Sequence, residues 1–146
     1  MLLVLLYGCE TWTLTRDLRW RLNSFGFRSL WRILGYCYSD FVSNGHLLRE
    51  TQMRFVTCIV CEHQLWLYGH VAHFPDADPA HQILSAREPR KWRRPMGRPH
   101  ASCLQQVDQH LKEMGMGQAS AWAIARLPGV PVDSDALLWR MLLYLT

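Results

Sequence analysis

Lysine is scarce in this sequence, because only Lys91 and Lys112 stand among its 16 basic residues and the other 14 are arginines. Two common signatures of nucleotide and ester hydrolysis are also missing, namely the Gly-rich phosphate-binding loop and the Gly-x-Ser-x-Gly nucleophile elbow. No segment alternates apolar and polar residues with a period of two, which is the pattern of a half-buried strand. The sequence therefore predicts a mainly α fold, a small helical bundle, and offers no catalytic constellation.

Long hydrophobic runs are absent as well. The apolar run from Met1 to Tyr7 is much shorter than the roughly 20 residues that a membrane span needs. A secretory signal would carry basic residues before its apolar stretch, whereas the first basic residue here, Arg16, follows it. We therefore expect no membrane span, and we interpret the run as a segment that is buried on several sides.

The bulk composition indicates one compact domain with reduced thiols. A length of 146 residues and a hydrophobic content of 49% suffice for a core. The net charge of +4 is too small by itself to indicate a polyanionic partner. The cysteines are odd in number and irregular in spacing, which favours an intracellular protein of the nucleus or cytoplasm over a disulfide scaffold. They are Cys9, Cys37, Cys58, Cys61 and Cys103.

The segment from Thr15 to Gly35 has the capping residues of a long helix, with Thr15 as N-cap and Gly35 just past the C-terminus. Three arginines fall within about 40° of one another on this helix, at 100° per residue. They are Arg21, Arg28 and Arg32. An adjacent stripe is apolar and comprises Leu18, Leu22, Phe25 and Ile33. The basic stripe is a candidate contact with a phosphate backbone, and the alternative is an ordinary solvated face.

Capping residues and apolar periodicity predict six further helices. They are a short helix after Ser43, a core helix over 52–74, a short helix over 78–84, a helix over 102–115, a small-residue helix over 118–126 and an amphipathic helix over 135–145. In the core helix one side is expected to be buried, and it comprises Val56, Val60, His63, Leu67, His70, Val71 and Phe74.

A zinc site is the sharpest chemical alternative in the core helix, where several soft and borderline ligands lie close in sequence. They are Cys58, Cys61, His63, His70 and His73. If the helix is continuous, however, both cysteines face away from His63 and His70, so the ligands do not converge. Only a break near Gly69 would bring them together. We therefore expect no metal, with buried thiols and with histidines that pack in the core or cap the helix.

A basic loop containing proline and glycine is predicted over residues 87–100. Pro89, Pro95, Gly97 and Pro99 prevent a regular helix there. The loop contributes six candidate nucleic-acid-binding residues, which are Arg90, Lys91, Trp92, Arg93, Arg94 and Arg98. Basic Gly-Arg-Pro elements lie along nucleic-acid grooves, and an exposed tryptophan can stack on an unpaired base. The alternative is a polar linker without a ligand.

Four strings in one colinear series carry a resemblance to a known family. They are LLYGCETWTLT at 5–15, SLWRILG at 29–35, LYGHVAHFPDADPAHQIL at 67–84 and WRRPMGRPHASCLQQVDQHLKEMGMGQASAWAIAR at 92–126. Together they resemble the segment that follows the polymerase palm in the reverse transcriptase of LINE-type, non-LTR retrotransposons. The resemblance covers residues 2–126, and the residues from Leu127 onward depart from it.

The resemblance implies a helical thumb and post-thumb extension that contacts template and primer. It divides the chain into a helical thumb-like region over 1–86, a basic linker loop over 87–100 and a C-terminal helical extension over 101–146. The family copies RNA into DNA with palm aspartates, and no aromatic-x-Asp-Asp turn occurs in this sequence. We therefore expect a non-catalytic fragment of an RNA-directed DNA polymerase, without a cofactor, that binds RNA or DNA weakly through the arginines named above.

The sequence also departs from the family pattern at several positions that are often basic in the family. They are Cys61, Trp66, His73, Met96 and His100. The lost charges weaken the expected binding and indicate a truncated and drifted copy of the segment. The alternative function is that of a small helical protein-interaction module without nucleic-acid binding, whose apolar N-terminus docks on a protein partner.

Overall fold

The computed structural model describes residues 2–86, 93, 96–97 and 102–126, and these residues form helices, turns and loops without a strand. Within these described residues seven α-helices follow one another: α1 (Leu2–Leu5), α2 (Arg16–Leu34), α3 (Asn44–Thr51), α4 (Val56–Ala72), α5 (Pro79–Ser85), α6 (Cys103–Glu113) and α7 (Gln118–Ala125). Short 3₁₀ turns occur at Cys9–Thr11 and Tyr38–Asp40. The mainly helical fold predicted from the sequence is confirmed.

Local capping explains most of the helix boundaries. The Thr15 hydroxyl accepts the Leu18 N–H at 3.3 Å at the start of α2, and Gly35 ends this helix with a φ of 73°. Ser43 and Ser102 accept in the same way at the starts of α3 and α6. Asp78 caps α5, which has proline in its first turn. These starts agree with the sequence-based predictions.

The start of α4 differs from the prediction, which began the core helix at Gln52. Gln52 adopts a left-handed conformation with a φ of 52° and ends α3, so α4 begins only at Val56. Its first turn is capped from another helix: the Asn23 side chain on α2 accepts the Thr57 N–H at 3.1 Å and donates to the Thr57 hydroxyl at 3.1 Å. Because this cap comes from a residue distant in sequence, local patterns could not indicate it.

Helix α4 is the centre of the fold, where α6 and α7 pack against its second half. The main cluster of buried side chains comprises Leu65, Tyr68, Val107, Leu111 and Ala121. Burial raises the pKa of Tyr68 to about 12. Ala72 and Ala125 form a second close contact beneath Trp122. The helices on both sides of residues 87–100 therefore share one core.

The buried side of α4 was predicted only in part. Val56, Val60 and Val71 are buried, but His63 is exposed, and Gln64 is almost completely buried instead. The reason is that α4 is covered on several sides, by the turn Cys9–Thr11, by α2 and by α6 with α7. Gln64 is accommodated because its Nε2 donates to the Trp12 carbonyl oxygen at 2.8 Å.

The prediction that the N-terminal run is buried on several sides is wrong for Val4 and Tyr7, whereas Leu5 and Leu6 are half-buried. The run forms the short helix α1, yet Val4 is 84% exposed and Tyr7 is 88% exposed. Among the described helices, none has the length and apolar character that crossing a bilayer requires. The helix predicted over 135–145 lies outside the described residues.

Candidate nucleic-acid interface

The three arginines predicted to form a basic stripe all lie on α2 and are all exposed. Arg21 has an acidic neighbour, because its Nε lies 2.9 Å from the Asp17 carboxylate one turn earlier. Both side chains are more than 60% exposed, so this ion pair is screened by water and contributes little to stability. A phosphate group could compete for Arg21 at small cost.

Arg28 and Arg32 are the freer members of the stripe. Neither makes an ion pair with another residue in the described part of the chain. Together with Phe25, Ser29 and Ile33 they line a surface concavity of about 320 Å³. Two guanidinium groups one helical turn apart beside an apolar floor form a surface that suits a phosphate backbone with its sugars.

The apolar stripe of α2 is exposed rather than packed, which the sequence did not indicate. Leu18 is 44% exposed, Phe25 is 43% exposed and Ile33 is 73% exposed, and no residue of α2 is fully buried. Phe25 and Ile33 border an apolar groove of about 190 Å³ that reaches Leu48 on α3 and Phe55 before α4. The long helix therefore presents a basic stripe and an apolar stripe side by side to solvent.

Trp20 is a functional candidate that the sequence analysis missed. It precedes Arg21 on α2, lies about 80–120° around the helix from the three arginines of the basic stripe, and is 69% exposed. Exposed aromatic rings near arginines are stacking platforms for unpaired bases. Nothing in the sequence indicated that Trp20 is exposed, because a tryptophan in an apolar-rich helix is expected in the core. Only the structure distinguishes Trp20 from the partly buried Trp31 of the same helix.

Only one candidate residue of the predicted basic loop lies among the described residues. Arg93 is exposed and non-helical, in agreement with the predicted loop. The other five candidates of the loop lie outside the described residues, and they are Arg90, Lys91, Trp92, Arg94 and Arg98. The described interface is therefore the basic stripe of α2, defined as Arg21, Arg28 and Arg32.

The ligands of the zinc alternative do not converge. Helix α4 continues through Gly69 to Ala72 without the break that such a site needs. Cys58 is exposed, whereas Cys61 is half-buried. Its burial, together with the nearby Cys58, raises the pKa of the Cys61 thiol to about 11, so Cys61 keeps its proton near neutral pH. His70 stacks on Trp66 with ring centroids 5.3 Å apart.

His73 has a structural role as well, because its Nδ1 lies 2.9 Å from the Gly69 carbonyl oxygen at the end of α4. His70 also meets the Phe74 ring edge-on, with centroids 5.0 Å apart. These contacts agree with the interpretation of both side chains as packing and capping histidines. Of the sites predicted from the sequence, the basic stripe of α2 is the one whose residues all lie in the described part of the chain and are accessible to a ligand.

Comparison with known proteins identifies no relative of this chain. No family model matches it, no curated protein matches it significantly, and no solved structure matches it significantly. The similarity to the retrotransposon segment therefore stays a prediction from the sequence strings.

Proposed function

We propose that this chain is a non-catalytic nucleic-acid-binding segment, similar to the post-palm part of a non-LTR retrotransposon reverse transcriptase, that contacts RNA or DNA in the nucleus or cytoplasm through the basic stripe of α2. The observation that carries the proposal is the exposure of Arg28 and Arg32 without an ion pair among the described residues. Phosphoryl transfer has no part in it, because the sequence has no aromatic-x-Asp-Asp turn.

The expected binding is weak and independent of base sequence. Guanidinium groups on the outside of a helix reach phosphates, which carry no sequence information. With only two or three phosphate contacts from α2, the dissociation constant is expected on the order of 10⁻⁵ M at physiological salt. Trp20 would add stacking on an unpaired base, which favours single-stranded or junction substrates over an intact duplex.

A charge-matched pair of double variants tests the proposal. Arg28→Gln with Arg32→Gln removes two charges from the stripe, and Arg49→Gln with Lys112→Gln removes two from exposed positions on α3 and α6. The first pair is expected to weaken binding to labelled single-stranded RNA about tenfold, and the second pair much less. Fluorescence anisotropy at fixed salt gives both values. Equal losses would show that only net charge matters and would contradict the proposed site.

The contribution of the basic loop is measured separately. Arg93→Ala, Arg94→Ala and Arg98→Ala are combined in one variant, and binding is compared on primer–template duplex and on single-stranded RNA. If the loop extends the interface, this variant binds more weakly than the wild type. Unchanged affinity would restrict the interface to α2. Circular dichroism confirms that the variant keeps its helices.

The alternative function, a protein-interaction module, is favoured by the exposed apolar stripe of α2. Ile33 is 73% exposed at the edge of a groove of about 190 Å³, and exposed apolar patches mark protein contacts. On this hypothesis Ile33→Gln reduces self-association or partner binding, measured by light scattering, more than it reduces RNA affinity. Arg28→Gln with Arg32→Gln has the opposite pattern if nucleic acid is the ligand.

A further inference from the structure

Three potential metal ligands of different chemistry meet where the N-terminal segment lies against α4. The Cys9 sulfur, a Glu10 carboxylate oxygen and a His63 ring nitrogen all lie within 4.8 Å of one another. Among the described residues, no other group of three or more potential metal ligands lies this close together. This set shares His63 with the zinc site considered from the sequence, but its other two ligands, Cys9 and Glu10, are different.

The backbone around this cluster is held in place by contacts that do not use its ligand atoms. Gly8, with a φ of 67°, starts the turn Cys9–Thr11, and the Cys9 N–H donates to the Leu6 carbonyl oxygen at 3.1 Å. The Cys103 thiol of α6 donates to the Glu10 carbonyl oxygen at 3.6 Å. A preorganised backbone of this kind lowers the cost of bringing the ligands onto one ion.

The burial of the three groups leaves an open side. Cys9 is fully buried, Glu10 is half-buried and His63 is exposed, so the cluster extends from the interior to the surface. Tetrahedral zinc requires ligand atoms about 3.3–3.8 Å apart, which follows from bond lengths of about 2.0–2.3 Å. Glu10 and His63 are not fully buried, so their side chains are the ones that would adjust to bring the three ligand atoms from within 4.8 Å of one another to these separations.

We propose that Cys9, Glu10 and His63 form a zinc site that ties the turn Cys9–Thr11 to α4. Sulfur, imidazole nitrogen and carboxylate oxygen together select zinc over calcium or magnesium, which prefer oxygen ligands alone. Zinc binding releases the Cys9 thiol proton to solvent, and the two negative charges of the thiolate and carboxylate then balance the ion. Three protein ligands leave the fourth tetrahedral position to water at the exposed side.

Cobalt(II) is the spectroscopic probe for this site, used on the full chain. Wild-type protein is expected to bind one equivalent with a thiolate-to-cobalt charge-transfer band and the visible absorption of tetrahedral coordination, and zinc displaces it. Cys9→Ser removes the charge-transfer band. His63→Gln weakens affinity at least about tenfold, because even indirect partners of metal ligands contribute that much. Circular dichroism verifies helicity, and exposed His63 can be replaced without disturbing the core.

Matched controls are Cys58→Ser, which removes an exposed thiol from the same helix, and His46→Gln, which removes an exposed imidazole from α3. Both are expected to leave the cobalt spectrum unchanged. Zinc should raise the melting temperature by about 4 °C in the wild type and in both controls, but not in His63→Gln. A charge-transfer band that survives in Cys9→Ser, that disappears in Cys58→Ser, or that never forms stoichiometrically overturns the proposal.

Discussion

His110 is a buried histidine that the fold keeps neutral. Burial and the nearby Arg19 guanidinium lower the pKa of His110 below its ordinary value of 6.5. The Glu113 carboxylate lies 3.8 Å from Nδ1 and acts in the opposite direction, but Glu113 is 59% exposed and solvent screens it. The contact between them is therefore not a charged pair near neutral pH.

This depressed pKa makes stability depend on pH with a definite sign. Just below pH 6.5 the unfolded chain binds a proton at His110 that the folded chain does not, so the free energy of unfolding falls as the pH is lowered through this range. Urea unfolding at about pH 7.5 and about pH 5.5 measures the loss. His110→Gln should show a smaller loss than the wild type. Equal losses in both proteins would mean that His110 titrates normally.

The five thiols are expected to differ in reactivity, because alkylation requires an accessible thiolate. Cys37 and Cys58 are exposed, whereas Cys9 is buried, and burial raises the pKa of both Cys61 and Cys103. Iodoacetamide under native conditions should modify Cys37 and Cys58 first, and all five only in denaturant. Peptide mass spectrometry identifies the modified positions. Rapid native modification of Cys61 would contradict its burial against α6 and α7.

At the scale of elements, the packing of α2 on α4 depends on one glycine. A Cβ atom added at Gly26 would lie 2.7 Å from the Val56 Cγ2 atom, closer than such atoms approach. Gly26→Ala should therefore lower the free energy of unfolding by about 1–3 kcal/mol through overpacking, although alanine favours helices by about 1 kcal/mol. Urea unfolding measures the difference.

Gly45 on α3 provides the control for this substitution. Its nearest atom is the Ser43 Oγ at 3.9 Å, so Gly45→Ala meets no steric obstacle and should stabilise by up to about 1 kcal/mol. Combining Gly26→Ala with Val56→Ala in a double-mutant cycle should reveal a favourable coupling, because the shorter side chain makes room for the added methyl group. Additive effects would place the cost of Gly26→Ala elsewhere.

Helix positions were predictable to the extent that their boundaries are local. Thr15, Ser43, Asp78 and Ser102 each accept a backbone N–H two or three residues ahead, and such caps can be identified from a few residues of sequence. The start of α4 could not be identified in this way, because its first turn is capped by Asn23, 34 residues earlier. Tertiary contacts decided that boundary.

Burial faces were less predictable than helices. Periodicity identified the apolar stripe of α2 but did not indicate whether it is covered, and in the structure Leu18, Phe25 and Ile33 are exposed. On α4 the opposite occurred: neighbours on several sides bury Gln64 together with the apolar residues. Which face of a helix is buried depends on how many neighbours it has, and a single sequence does not contain that number.

The position of the basic stripe on α2 was predictable from the sequence, whereas the ion-pair partners of its arginines were predictable only in part. The 3.6-residue period correctly placed Arg21, Arg28 and Arg32 on one exposed stripe, because helical geometry alone fixes their relation. The acidic neighbour of Arg21 is local as well, because Asp17 lies one helical turn before it. That Arg28 and Arg32 have no acidic partner among the described residues depends on three-dimensional contacts. The ligand cluster around Cys9 and His63 joins distant segments and had no sequence signature.

The salt dependence of binding follows from the small number of these arginines. Two or three phosphate contacts release as many counterions, which gives a slope of log affinity against log salt of about −1.4 to −2.1 for single strands and about −1.8 to −2.7 for duplex DNA. Between about 50 mM and about 200 mM salt, affinity should therefore fall roughly sevenfold to fortyfold. Arg28→Gln with Arg32→Gln should flatten the slope by more than one unit, as fluorescence anisotropy would measure. An isotherm that does not change with salt would exclude phosphate contacts and favour the apolar stripe of α2 as the functional surface.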